Sequence, residues 1–286
     1  MNRVADYDQY LALVRQTKAK QKSVVTNCFL FQKAVQRYLD LGRFLYEENE
    51  AGILFFSDEE TYYQVYYYLN PERPFEAAAG ERPLVVNHLF TEGKKGEKLA
   101  RIDERLASAG FELALKVRQT TGEPDEILKR VGAPSRVARR LLGREGFELR
   151  PVGREAFDDY FEMRSTTKEV PFYQFPYSTL EELDDDAANG RLIGIFDSRS
   201  RLCAVRHSFM EGNGMYGWIM VREAYKDRYG MALPLSEFAM QNAKANGNRV
   251  YGWIALDNAP SIQYHMGLGY CWTNRRMDTW IKPAAK

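Results

Sequence analysis

The chain holds 286 residues, room for one large domain or two of ordinary size, and 45% of them are apolar, enough for a real core. Forty Lys and Arg stand against 39 Asp and Glu, so no global positive field marks a nucleic-acid binder. No stretch approaches the roughly 18 apolar residues of a membrane helix. The opening "MNRVADYDQY" lacks a signal peptide's apolar run. Cys28, Cys203 and Cys271 are too scattered for a metal site or a disulfide framework, and the expectation is three buried thiols in a reducing cytoplasm.

The first stretch reads as a helix, with Tyr10, Leu11, Leu13 and Val14 along one side. "SVVTNCFLF" and "RFLYEE" are apolar but short. "GILFFSDEETYYQVYYYLN" predicts two strands around the turn "SDEE", and "RPLVVNHLF" a further strand. "GEKLARIDERLASAGF" is a helix closed by Gly110, and "ELALKV" alternates as a strand does, so a β-α-β unit with parallel strands is expected. The Tyr-rich strand reads as one covered on both faces, and "TEGKKGEK" sits where a second phosphate loop would lie. Residues 120–147, polar, basic and punctuated by Gly and Pro, read as a linker with one or two short helices, the run "RVARRLLGR" being a solvated face.

A second domain begins near Phe147. "FELRPV" is a strand, "REAFDDYFEMRST" a helix, and "STLEELDDDAANG" a helix opened by a capping box of Ser178 and Glu181. "RLIGIFD", "LCAVRHSFME" and "MYGWIMV" are successive strands. Then come the helix "MALPLSEFAMQNAKANG", the strand "RVYGWIAL", the short helix "NAPSIQYHMGLG" and the strand "YCWTNRRMDTWIK". "ARIDERLASAGFELALKV" echoes "FAMQNAKANGNRVYGWIAL" as helix, Gly and strand, which suggests a duplicated fold whose first copy has decayed. The expected organisation is 1–119, a linker 120–147, and 148–286.

Two motifs carry chemistry. Val221 is followed four residues on by Tyr225, then Lys226 and "DRYGMA" running into a helix. A glycine before a helix lets backbone N–H groups approach a phosphate, and the helix N-terminus adds a positive field. Asn258 is followed seven residues on by His265, then Gly269-Tyr270, and it is a good N-cap for the helix that begins at Ala259. With the element order of residues 148–282, these motifs resemble those of the GNAT acyltransferases. The usual first glycine of the turn falls on Tyr229, with Gly230 one residue late, and the usual tyrosine falls on His265, with Tyr264 one residue early.

The resemblance implies an α/β fold of two GNAT-like domains. Each would be a mixed, largely antiparallel sheet with a central parallel strand pair flanked by helices. It implies an acyl-CoA cofactor, most simply acetyl-CoA, whose pantetheine arm lies along Ile219, Met220 and Val221. The amides of Arg228, Tyr229, Gly230, Met231 and Ala232 would meet the pyrophosphate, with Asn258 and Ser261 nearby. His265 or Tyr264 would serve the departing thiolate; an imidazole both donates and accepts a proton near neutrality. His207, Glu211, Glu223 and Asp257 are candidates for the base. Phe172, Tyr173, Phe175 and Tyr177 in "VPFYQFPY" form an expected aromatic lid over an acceptor amine, a small molecule or a peptide. No metal, membrane or nucleic-acid partner is expected. The alternatives are an aminoacyl transferase using aminoacyl-tRNA, and a non-catalytic acyl-CoA sensor.

Overall fold

A computed structural model describes residues 1–75, 77, 80–167, 171, 173, 175–211, 213–226 and 228–285. The chain divides into two compact units, Met1–Val117 with Asn274–Lys286, and Arg118–Thr273.

The first unit runs β1 (Asn2–Arg3), α1 (Tyr7–Lys20), β2 (Val25–Thr26), α2 (Gln32–Asp40), β3 (Phe44–Asn49), β4 (Gly52–Asp58), β5 (Tyr63–Leu69), β6 (Leu84–Thr91), α3 (Glu97–Ser108) and the start of β7 (Glu112–Gly122). Helix α1 forms where Asp6 accepts from the Gln9 amide at 2.7 Å and Tyr10, Leu13, Val14 and Thr17 recur on one buried stripe. The strands lie in the order β1-β3-β4-β5-β6, antiparallel except for the parallel pair β5 and β6. β4 is buried on both faces. Ile53 and Phe55 pack with Leu13 and Val35, while Leu54 and Phe56 pack with Ile102 and Leu106. That is why its pattern is continuously apolar rather than alternating. Tyr67 and Tyr68 are likewise core residues, as expected for the Tyr-rich strand.

β6 and β7 are not neighbours: the chain's last strand stands between them, its residues 275–282 antiparallel to β6. A helical crossover suits parallel strands without making them adjacent.

The second unit takes the end of β7, then α4 (Pro124–Arg144), β8 (Glu148–Pro151), α5 (Phe157–Thr166), α6 (Leu180–Ala188), β9 (Leu192–Phe196), β10 (Leu202–Glu211), β11 (Gly214–Val221), α7 (Ala232–Ala245), β12 (Arg249–Ala255), α8 (Ala259–Leu268) and the start of β13 (Cys271–Lys282). Its strands lie in the order β8-β9-β10-β11-β12, antiparallel until the parallel pair β11 and β12. The end of β7 follows β12, with Thr120 and Thr121 hydroxyls donating to the Gly252 and Val250 carbonyls.

The expected linker is a correction. Residues 124–144 form one helix, and it is core rather than connection: Ile127, Val131, Ser135, Ala138 and Leu142 are buried. Pro134 normally costs a helix about 3 kcal/mol. The buried stripe offsets that, which Gly and Pro punctuation alone cannot reveal. The boundaries accordingly fall at 117/118 and 273/274, not at 119/120 and 147/148. The capping box also slides by one residue: Thr179 caps α6, and its amide donates to the Glu182 carboxylate at 2.9 Å. Both Ser178 and Thr179 can cap, and the sequence carries a Glu three residues after each. Cys28 and Cys203 are buried as expected, but Cys271 is exposed.

Both units repeat one plan: an antiparallel run of strands, a parallel pair, then helix and strand. The two segments that echo in sequence are not the equivalent ones. α7 connects the parallel pair β11 and β12, whereas α3 follows the second member of the pair β5 and β6. The counterpart of α3–β7 is therefore α8–β13. Helix, glycine, strand is too common a pattern to identify equivalence.

Candidate functional site

In the second unit the parallel strands β11 and β12 are in register at Gly214↔Arg249 and Met215↔Val250. β11 then stays paired with β10 to its end, Ala204 opposite Val221. The far parts of β11 and β12 diverge, so the backbone of Ile219 and Val221 has no ladder partner in β12 among the described residues. Carrying the register forward puts Gly217 opposite Gly252 where the strands part. Each lies in the same tetrapeptide, Tyr-Gly-Trp-Ile, at 216–219 and 251–254. That repeat was visible in the sequence and marks the split. A Cβ on Gly217 would come within 2.4 Å of the His207 carbonyl oxygen, so only glycine allows β10 and β11 to approach this closely.

Ile219 and Val221 pack with Met231, Leu235 and Phe238, whereas Met220 is buried in the opposite cluster with Tyr160 and Leu183. Alternation explains this split, and it leaves Met220 no side-chain access to the α7 face.

Between β11 and α7 the chain turns through two left-handed residues, Tyr229 at φ 58° and Gly230 at φ 58°. The amide of Arg228 is used, donating to the Tyr225 carbonyl at 3.2 Å. Those of Tyr229, Gly230, Met231 and Ala232 have no backbone acceptor among the described residues. They precede or open α7 and carry its partial positive charge. Tyr229 explains its own departure from glycine: its ring packs on Phe147, centroids 5.4 Å apart.

Asn258 caps α8, its Oδ1 accepting from the Ser261 amide at 3.0 Å. His265 lies one turn beyond Ser261, and its Nδ1 is 2.8 Å from the Ser261 carbonyl oxygen. A carbonyl only accepts, so Nδ1 carries the proton and Nε2 holds the lone pair. That Nε2 faces β12: a Cβ built on Gly252 would lie 3.8 Å from it. Burial pushes the His265 imidazolium below the ordinary imidazole value; the Ser261 carbonyl opposes this and the Arg206 charge adds to it. His265 is therefore a neutral acceptor, not a ready acid.

Tyr264 points elsewhere. Its hydroxyl donates to the Ala232 carbonyl at 3.0 Å and lies 2.8 Å from Ser236 Oγ, tying α8 to the first turn of α7. Burial raises its pKa to about 12. His265 and Tyr264 thus have separate surroundings, as their quarter-turn separation on a helix requires.

The other face of the split is aromatic. Phe175, Trp218, Phe209, Tyr216 and Tyr251 form a chain of ring contacts with centroids 5.1 to 5.8 Å apart. Trp218 Nε1 is buried without a hydrogen-bond partner among the described residues. Phe175 is a core residue, 3% exposed, rather than a free lid aromatic. Tyr173 and Tyr177 are half-buried, and burial together with the Asp257 charge raises the Tyr173 pKa. Phe172 lies outside the described residues.

His207, a candidate base, has both ring nitrogens engaged, with Tyr160 at 2.7 Å and Asp186 at 2.8 Å. Glu223 and Asp257 are exposed, Glu223 pairing with Lys226, and the side chain of Glu211 lies outside what is described. Among the described residues no group of His, Cys, Asp or Glu is arranged to hold a metal.

In the first unit the corresponding pair, β5 and β6, is in register from Tyr63↔Leu84 to Val65↔Val86. Its split is filled from within. Asn27 donates to the Val65 and Asn87 carbonyls at 3.0 and 3.3 Å and accepts from the Tyr67 amide at 2.8 Å, while β2 pairs with the end of β5. No helix connects β5 to β6 among the described residues. Lys95 of the expected second phosphate loop is committed to Asp103 and Asp278, each at 2.5 Å.

No family model matches the chain, and no curated protein does. Solved structures do. A Drosophila protein solved as a structural-genomics target matches with a TM-score of 0.52 at 13% identity, over 99% of this chain and 91% of its own. The GCN5-related glucosamine N-acetyltransferase region of a fungal multi-domain GH3 β-N-acetylglucosaminidase matches with a TM-score of 0.50 at 10% identity, over 83% of this chain and 33% of that one. A tandem GNAT protein from the clavulanic acid biosynthesis pathway matches with a TM-score of 0.44 at 13% identity, over 82% and 80%. At such identities the likeness speaks to fold. The fold is that of the GCN5-related N-acetyltransferases, α/β with mixed sheets, in a tandem arrangement.

Proposed function

We propose that the second unit binds an acyl-CoA, most simply acetyl-CoA, and transfers its acyl group to an amine. The observation that carries this is the parting of β11 and β12. It leaves unladdered backbone at Ile219 and Val221 between two features that acyl transfer needs. At one end stand the amides of Gly230, Met231 and Ala232 at the start of α7, without a backbone acceptor among the described residues and suited to a pyrophosphate. At the other stands a neutral imidazole, His265, with its lone pair on the inner side. The chemistry the thioester supplies is an activated carbonyl; forming the amide breaks C–S, frees one proton from the amine and delivers one to sulfur.

The chain's residues divide that work. The Ser261 carbonyl fixes the His265 tautomer, and burial keeps the ring uncharged, so His265 accepts the amine's proton, directly or through a water, and can return it to the sulfur. Tyr264 ties α8 to the first turn of α7 and takes no part in the proton's path. The aromatic chain from Phe175 to Tyr251 covers the acceptor's apolar part, and the buried Trp218 N–H offers it one hydrogen bond. Thiol release from acetyl-CoA with a panel of amines tests the reaction. Thiol release only with His265 intact supports the reading. Coenzyme A binding without any turnover favours the sensor, and a requirement for charged tRNA favours the aminoacyl transferase.

A further inference from the structure

Among its described residues the second unit buries a cation without a counter-ion. Arg206, in β10, is 7% exposed. Among the described residues no carboxylate lies within ion-pair distance of it, although the buried or half-buried Arg43, Arg191 and Arg222 all have one. Its Nε donates to Ser208 Oγ at 3.2 Å, a neutral partner. A buried guanidinium normally recovers its lost hydration from an anion.

Its place makes this informative. Arg206 is opposite Ile219 and Ser208 is opposite Gly217, so the side chain lies on the face of β11 that carries Ile219. The Arg206 charge reaches His265, whose Nε2 faces β12 at Gly252. A planar fork of N–H donors beside a proton acceptor suits a planar anion.

We infer that Arg206 binds a carboxylate carried by one of the two reactants, either on the acyl group or on the acceptor amine. This rests on the proposed acyl-CoA reading of the same site. A purely structural arginine would be an odd choice here, since a well-packed apolar residue in place of an unpaired buried charge is commonly neutral or stabilising.

The test uses the full chain in two arms. One compares acetyl-, butyryl- and succinyl-CoA by calorimetry. The other compares amino acids with their carboxamides as acceptors, by thiol release. Wild type should favour the carboxylate by about 10- to 100-fold in one arm. Arg206→Met should abolish that preference, Arg206→Lys should retain part of it, and plain coenzyme A should bind all three proteins alike. The melting temperature of Arg206→Met without ligand should not fall. The inference is overturned if wild type shows no carboxylate preference in either arm, or if the preference survives in Arg206→Met. Should that variant not fold, Arg206→Gln takes its place, and the wild-type comparison stands by itself. Coenzyme A binding with no preference removes only this inference; no binding of coenzyme A removes the acyl-CoA reading with it.

Discussion

At the scale of single residues, two neighbours on α8 part company. His265 should act as a base. Removing a positioned base typically slows a reaction by about 10² to 10⁴. His265→Ala should do so while leaving coenzyme A affinity within a few fold, as steady-state rates and calorimetry on one preparation would establish. Because burial lowers its pKa, the acid limb of kcat/KM should inflect below about 6.5 and be missing from the residual activity of His265→Gln. The same shift bears on stability. Between the folded value and about 6.5 the unfolded chain holds a proton that the folded chain does not, so stability rises with pH there and is lost as pH falls through the folded value. Tyr264→Phe should instead leave the rate nearly unchanged and cost about 1–2 kcal/mol, since it strands the buried Ser236 hydroxyl and the Ala232 carbonyl. Urea titration of that variant at neutral pH gives the number, and a crippled rate with unchanged stability would reverse the two assignments. The cap at Asn258 and the spacing to His265 were legible in the sequence because both depend on helical period. The tautomer was not, since it depends on which way one carbonyl points.

At the scale of elements, the turn into α7 and the split of β5 and β6 make opposite predictions. Gly230 is left-handed, and a Cβ there would meet Leu233 Cδ1 at 3.2 Å. A β-branched residue in that conformation costs about 1–2 kcal/mol and obstructs the amides. Gly230→Val should therefore abolish the rise in melting temperature that coenzyme A gives the parent, a gain of about 2.7 kcal/mol at 100 times its dissociation constant. An undiminished shift would place the pyrophosphate elsewhere. Asn27→Ala should destabilise the chain without creating a second cofactor site, since it leaves the Tyr67 amide and two carbonyls unpaired. Strand order in the meander was legible from alternation and turns. Asn27 was not, because a polar residue in a short apolar stretch carries no signal that it will plug a gap 38 residues away. Helix α4 was missed for the converse reason: its buried stripe was present, but Gly132 and Pro134 spoke louder locally.

At the scale of the whole molecule, sequence order and compact units disagree, and that has consequences. The first unit takes its last strand from residues 275–282, and the second takes α4 and the end of β7 from before residue 148. A fragment starting at 148 loses Ile127 and Val131 from a fully buried cluster, so it should fail to fold by near-ultraviolet circular dichroism. Two units were expected from an echo of helix, glycine and strand, yet the segments that echo are not the equivalent ones. The exchange of terminal strands was not legible, because pairing with β6 is written in geometry rather than in the pattern of β13. The proposed function places one acyl-CoA site on each chain, in the second unit. Calorimetric titration of the full chain with coenzyme A tests it most directly. The predicted result is a single class of site at a stoichiometry of one, lost in Gly230→Val and kept in Asn27→Ala. No heat at millimolar coenzyme A, or two sites per chain, would contradict it.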